Sequence, residues 1–213
     1  MLNKRILAFG CSHTYGLGLS EDQSTPSNKS WVSLLAKKVR FPLYNFSKPG
    51  ASNKYIWHTL MNTNIKEDDI VFVMWTYPHR TCVIEELDFD KKFKHMSIND
   101  TDTASKHYYK ELYNDLDANI ETWSRIDHAN RYHQGKNIIN TTCSSFLDSS
   151  PHWCNTIIHC PALFNQIEIM YPKAEDGVHA GEQAHQEFAG KFLHYLQKYQ
   201  PALFKKQQTY GPE

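Results

Sequence analysis

The sequence predicts an α/β domain with one parallel sheet and helices on both of its faces. Two short strands, Lys4–Phe9 and Asp69–Trp75, are nearly continuous apolar runs rather than alternating ones, as expected when a sheet is covered on both sides. Between and after them lie stretches with helical spacing. Regular alternation of strand and helix makes neighbouring strands parallel and puts their connecting helices over the faces.

The elements follow in order. Lys4–Phe9 closes on Gly10, and a polar loop with Gly16 and Gly18 comes next. Ser30 is placed to cap a helix over Trp31–Val39, whose Trp31, Leu34, Leu35 and Lys38 share one face. Residues 42–46 form a short second strand, broken by Lys48-Pro49-Gly50, and Lys54–Met61 a second helix. After the Asp69–Trp75 strand, residues 85–106 are charged and irregular, a surface excursion. Tyr109, Leu112, Tyr113, Leu116, Ile120 and Trp123 then fall on one helical face, and with Tyr108 they read as core rather than as a ligand platform. Asn137–Thr142 is a fourth strand. Residues 144–175 give no clear pattern. Glu182–Leu196 is a final helix with Ala184, Phe188, Phe192, Leu193 and Leu196 inward. The expected organisation is a single domain over 1–200 and a polar, frayed tail over 201–213.

Composition narrows the function. Twenty-three basic residues balance 23 acidic ones, so no net field draws the chain to nucleic acid or to an anionic membrane. No run reaches the ~20 apolar residues of a membrane span, and the four-residue run before Gly10 is too short for a signal peptide. A cytoplasmic protein is expected. Five scattered cysteines, an odd number, read as reduced thiols rather than a disulfide framework. His152, Cys154, His159 and Cys160 are dense in metal-capable side chains, but their spacing is not that of a zinc site. Neither metal nor other cofactor is expected.

Chemistry gathers at the carboxyl edge of the predicted sheet, where ligands bind in such folds. Ser12, Gly50 and Thr76 each follow a predicted strand by a few residues. A serine hydroxyl needs a base, most often histidine, and that histidine needs a carboxylate to fix its tautomer. Asp176-Gly177-Val178-His179 supplies both within one turn. Taken alone, Ser12 reads as a loop serine and Asp176 as a helix cap; together they make Ser12, His179 and Asp176 the candidate catalytic residues. The backbone N–H groups of Ser12 and Gly50 are candidate donors to an oxyanion.

Gly10-Cys11-Ser12-His13-Thr14-Tyr15-Gly16 resembles the first conserved block of the SGNH (GDSL-type) hydrolases. Lys48-Pro49-Gly50-Ala51-Ser52-Asn53 resembles their second block, and Asp176-Gly177-Val178-His179 their last. The resemblance spans residues 4–80 and 172–196. It implies a three-layer α/β/α, flavodoxin-like fold with about five parallel strands, and metal-free hydrolysis of an acyl ester with Ser12 as nucleophile. Two positions depart from the pattern: Cys11 stands where the family often has Asp, and the third block, normally Gly-x-Asn-Asp, reads Trp75-Thr76-Tyr77-Pro78. The third-block asparagine that would donate to the oxyanion is therefore missing, and Thr76, Tyr77 or Asn53 are the candidate replacements. His13 and Tyr77 are candidate pocket residues. The expected substrate is a small acyl ester such as an O-acylated sugar or metabolite. Acyl transfer by the same triad, or ligand binding without efficient turnover, are the alternatives. Neither oligomeric state nor substrate identity is legible.

Overall fold

The computed structural model describes residues 4–84, 93–147, 150–161 and 163–204. Four parallel strands, β1 (Ile6–Phe9), β2 (Leu43–Asn45), β3 (Ile70–Trp75) and β6 (Asn137–Thr142), form a sheet in the order β2-β1-β3-β6. Ile6 lies level with Leu43 on one side and Ile70 on the other, and Ile70 with Asn137. The chain runs from β1 outward to β2, then back across β1 to β3 and on to β6. With right-handed crossovers, that reversal puts α2 (Trp31–Val39) on one face and α3 (Asn53–Met61) and α5 (Asp115–Tyr132) on the other. The C-terminal α7 (Glu182–Tyr199) packs beside α2, and α3 beside α5, completing the three layers.

Every residue of β1 and β3 is buried, as their unbroken apolar runs predict. Trp31 is fully buried and meets Phe72 of β3 and Phe188 and Phe192 of α7 edge-on, which ties one helical layer to the sheet. Ser30 caps α2 by accepting from the Ser33 N–H. The face α2 buries is Trp31, Val32, Leu35 and Ala36; Lys38, expected on it, is exposed. Among the described residues the parallel sheet has four regular strands, and where a fifth would lie there is a single parallel bridge between Asn140 and Ile158, close to the expected total of about five.

Three other expectations are corrected. Of the 85–106 segment, residues 85–92 lie outside the described residues. From residue 93 onward regular elements form: β5 (Phe93–Met96) pairs antiparallel with β4 (Thr81–Ile84), and α4 (Thr103–His107) follows, capped by Asp102. The supposed single apolar face over 109–123 is split. A π turn over Tyr108–Leu112 ends at an extended Tyr113, and α5 begins afresh after the Asn114 cap. The change of phase leaves Leu112, Leu116 and Ile120 exposed, while Trp123, Ile126 and Ala129 face the core. The segment after Pro201 is not frayed at its start: a 3-10 turn over Pro201–Phe204 buries Leu203, and the Lys4 ammonium donates to the Leu203 carbonyl. Residues 205–213 lie outside the described residues.

Candidate active site

β1 delivers the chain to the carboxyl edge of the sheet, where Gly10 and Cys11 turn it into the one-turn helix α1 (Ser12–Tyr15). Gly10 has no room for a side chain, since a Cβ would sit 2.2 Å from the Thr14 hydroxyl oxygen. Ser12 is the first helical residue and is buried. Its N–H is among those that a helix's first turn leaves without an intrahelical acceptor.

The Asp176–His179 segment is a loop closed by a bridge between Lys173 and Ala180 and by Ala174 N–H donating to the His179 carbonyl. Inside it, one Asp176 oxygen accepts from the Val178 and His179 N–H groups, each at 2.9 Å. The other oxygen lies 2.6 Å from Nδ1 of His179. Partial burial pushes the Asp176 carboxyl up, but the two backbone donors and the imidazole outweigh it and hold the group down at about 2. Asp176 is thus a carboxylate at neutral pH, placed to orient the ring as the sequence motif requires.

His13 joins this loop to the α1 turn. Its buried ring packs 4.8 Å from Phe164, 6.4 Å from Tyr77 and 6.1 Å from His179, centroid to centroid. The neighbour of Ser12 in sequence is therefore the neighbour of His179 in space. The glycine loop after α1 touches the same group, because Gly18 lies directly against the Asp176 carboxylate. On the opposite side, Lys48 N–H donates to the Gly10 carbonyl and anchors the Pro49-Gly50 turn beside α1. Gly50 is exposed, has φ +73°, and among the described residues nothing lies within 4 Å of where its Cβ would be. Its backbone is open to a ligand.

No protein-family model matches the chain, and no curated protein matches it in sequence. Solved structures do. An acetyl xylan esterase, Est2A, from the rumen bacterium Butyrivibrio proteoclasticus superposes with a TM-score of 0.55 at 12% identity, over 96% of this chain and 66% of that one. The psychrotrophic esterase EstA from Pseudoalteromonas sp., inhibited there by monoethylphosphonate, gives 0.53 at 11% identity, over 92% and 98%. TesA gives 0.50 at 9% identity, over 94% and 99%. This chain therefore spans just under two thirds of the rumen enzyme's length.

The chain has the SGNH hydrolase fold.

Within the SGNH fold, the candidate oxyanion side chains are arranged differently from expectation. Asn53 opens α3 and is buried; its Oδ1 accepts from Thr76 N–H at 2.7 Å, while its Nδ2 donates to the Thr76 carbonyl and the Thr122 hydroxyl. Both amide hydrogens are committed, so Asn53 clamps α3 to the end of β3 and has none left for an oxyanion. The buried Thr76 hydroxyl accepts from Arg80 at 3.4 Å and lies 3.8 Å from the Cys143 sulfur, an internal position. Tyr77 is half-buried, stacked on His79 and covered by the Arg80 guanidinium, and burial pushes its phenol well above the usual range. It lines the site as a neutral hydroxyl. His13 and Tyr77, the candidate pocket residues, are brought together with His179.

Several residues here left no sequence signal. Phe164 and Glu168 come from α6 (Leu163–Glu168), inside the segment without a readable pattern. Arg80 follows a strand like any surface arginine. Cys143, one step past β6, lies against Cys11 and His13. A hydrogen bond from the Cys143 thiol holds the Cys11 thiol well below its usual range, and the same bond together with burial raises that of Cys143. The sequence cluster His152, Cys154, His159 and Cys160 does not converge: His159 packs on Tyr195, and burial pushes the Cys160 thiol up to about 11. Among the described residues, the side chains that converge as a metal-capable group are Cys11, His13 and Cys143. No helix among them is long and apolar enough to cross a membrane.

Proposed function

We propose that this protein is a serine hydrolase of small acyl esters, with Ser12 as nucleophile, His179 as base and then acid, and Asp176 as the carboxylate that orients it. The observation that carries the reading is the Asp176–His179 pair, fixed at 2.6 Å and lying against the ring of His13 next to Ser12. In this reading His179 takes the Ser12 proton through Nε2 as Oγ attacks the acyl carbon. The Ser12 and Gly50 N–H groups receive the oxyanion, and the protonated imidazole then hands its proton to the leaving alkoxide. Water, activated by the same imidazole, releases the acid and restores Ser12. The aromatic wall of buried His13 and Phe164 and half-buried Tyr77 suits a short acyl group better than a long chain. An O-acylated sugar or metabolite is the substrate class we favour.

A fluorophosphonate probe with peptide mapping, together with turnover of short p-nitrophenyl esters, tests this. Labelling at Ser12 and turnover lost in Ser12→Ala support it; no labelling and no Ser12-dependent turnover sink it. One observation favours a second reading. With Asn53 committed to Thr76, two backbone donors replace the usual three, and one missing donor costs about two to three orders of magnitude in rate. A ligand-binding protein with residual turnover would bind acyl esters equally well as Ser12→Ala. If an acceptor alcohol intercepts the acyl-enzyme faster than water does, the activity is transfer.

A further inference from the structure

The two residues that flank Ser12 in sequence belong to a group that hydrolysis does not use. The sulfurs of Cys11 and Cys143 and a ring nitrogen of His13 all lie within 4.8 Å of one another, and all three residues are buried. Among the described residues His13 Nδ1 has no hydrogen-bond partner, and His13 is only 5% exposed. A buried ring nitrogen left unpaired costs on the order of 1–3 kcal/mol, which calls for a compensating partner.

From this geometry we infer a zinc site formed by Cys11, His13 and Cys143. Two sulfurs and one imidazole nitrogen are a donor set zinc favours. With Zn–S near 2.3 Å and Zn–N near 2.0 Å, a tetrahedral ion spaces its ligand atoms roughly 3.5–3.8 Å apart, so the widest gap need close by only about 1 Å. The fourth side is bordered by the Thr76 hydroxyl, 3.8 Å from the Cys143 sulfur. Charge also favours it: a dication with two thiolates and a neutral imidazole is neutral overall, the arrangement a buried site tolerates best. Zinc enters as the thiol protons leave to solvent, with no change of oxidation state.

A disulfide between Cys11 and Cys143 would leave the buried His13 ring nitrogen as it is, whereas an ion held by all three residues gives it a partner. A bridging ion would join the ends of β1 and β6 across β3 and pin the Cys11 cap from which the Ser12 turn begins.

The test uses the whole, fully reduced protein titrated with Zn²⁺ against a chromophoric chelator, and with Co²⁺ as spectroscopic substitute. Expected are one tight equivalent, a raised melting temperature, thiolate-to-cobalt charge-transfer absorption, and a zinc-edge spectrum fitted by two sulfurs and a nitrogen. Cys143→Ser should weaken binding by roughly 100-fold or more, and Cys154→Ser, a buried cysteine elsewhere, should leave it unchanged. Should Cys143→Ser fail to fold, the two absorption spectra of the parent protein decide the matter. Ser12→Ala should bind zinc like the parent, so this result stands or falls separately from the hydrolase reading. No tight equivalent, an all-nitrogen-and-oxygen shell, or a Cys11–Cys143 disulfide formed by mild oxidant in a protein that takes up no zinc would each overturn it.

Discussion

A Cβ on Gly18 would sit 2.8 Å from the Asp176 Oδ2 that holds His179. The loop leaving the Ser12 turn thus lies in direct contact with the carboxylate, across more than 150 residues of sequence. Gly18 also has φ +82°, a conformation that strains any side chain.

Gly18→Ala is therefore expected to lower kcat for ester turnover about 10- to 100-fold by displacing Asp176, because a misplacement near 1 Å carries that order of cost. Stability should fall by only about 1–2 kcal/mol. Steady-state kinetics beside a denaturant titration separates the two effects. An unchanged kcat would show that Asp176 does not depend on this contact.

Asn53→Ala removes the clamp on Thr76 and leaves its buried N–H without an acceptor. The expected loss is about 2–4 kcal/mol, read from the urea midpoint. A side chain serving as a free oxyanion donor would instead cost rate and little stability.

The parts of this fold that read clearly from sequence are those where one short-range signal dominates. The buried runs of β1 and β3 read from their apolar composition, the helix over Trp31–Val39 from apolar period and the Ser30 cap together, and that over Glu182–Tyr199 from its apolar period alone. The Asp176–His179 pair was legible because its geometry is local, closed within four residues. Failures came where the deciding contact is long-range or a phase changes. Leu116 and Ile120 share a helical stripe with Tyr109 only if the helix is continuous, and the Asn114 cap resets the register. Nothing near Cys143 announces its partner 132 positions earlier in the chain. Asn53 reads as a possible donor until Thr76 and Thr122 are seen to hold it.

His185 gives the protein an acid limit. Its Nδ1 accepts from Trp31 N–H at 3.0 Å, and burial lowers its pKa to about 3. The unfolded chain, with a histidine near 6.5, binds a proton that the folded chain refuses between those values. The stability is fully present above pH 6.5 and is lost as pH falls toward 3. From His185 alone the loss between pH 7 and pH 5 is about 2 kcal/mol. Guanidinium midpoints across that range should show the slope, and His185→Gln, which keeps an acceptor for Trp31, should flatten it. An equal slope in the variant would place the acid limit elsewhere.

Asp176→Asn separates the carboxylate's charge from its shape. The amide oxygen can still accept from the Val178 and His179 N–H groups, so the loop should keep its form. What changes is the partner of His179 Nδ1. An amide NH₂ directed there favours the tautomer whose Nε2 carries the proton, and that nitrogen can no longer act as base toward Ser12. Ester turnover should fall by about three to four orders of magnitude with little change in KM. The same variant should lose the acid sensitivity of this loop. The Asp176 pKa is depressed from its ordinary value to about 2, so its contribution is present above about pH 4 and is lost as pH falls through 2. After solvent screening of a partly exposed pair, that contribution is at most about 1 kcal/mol. Turnover that survives in Asp176→Asn would remove Asp176 from the triad.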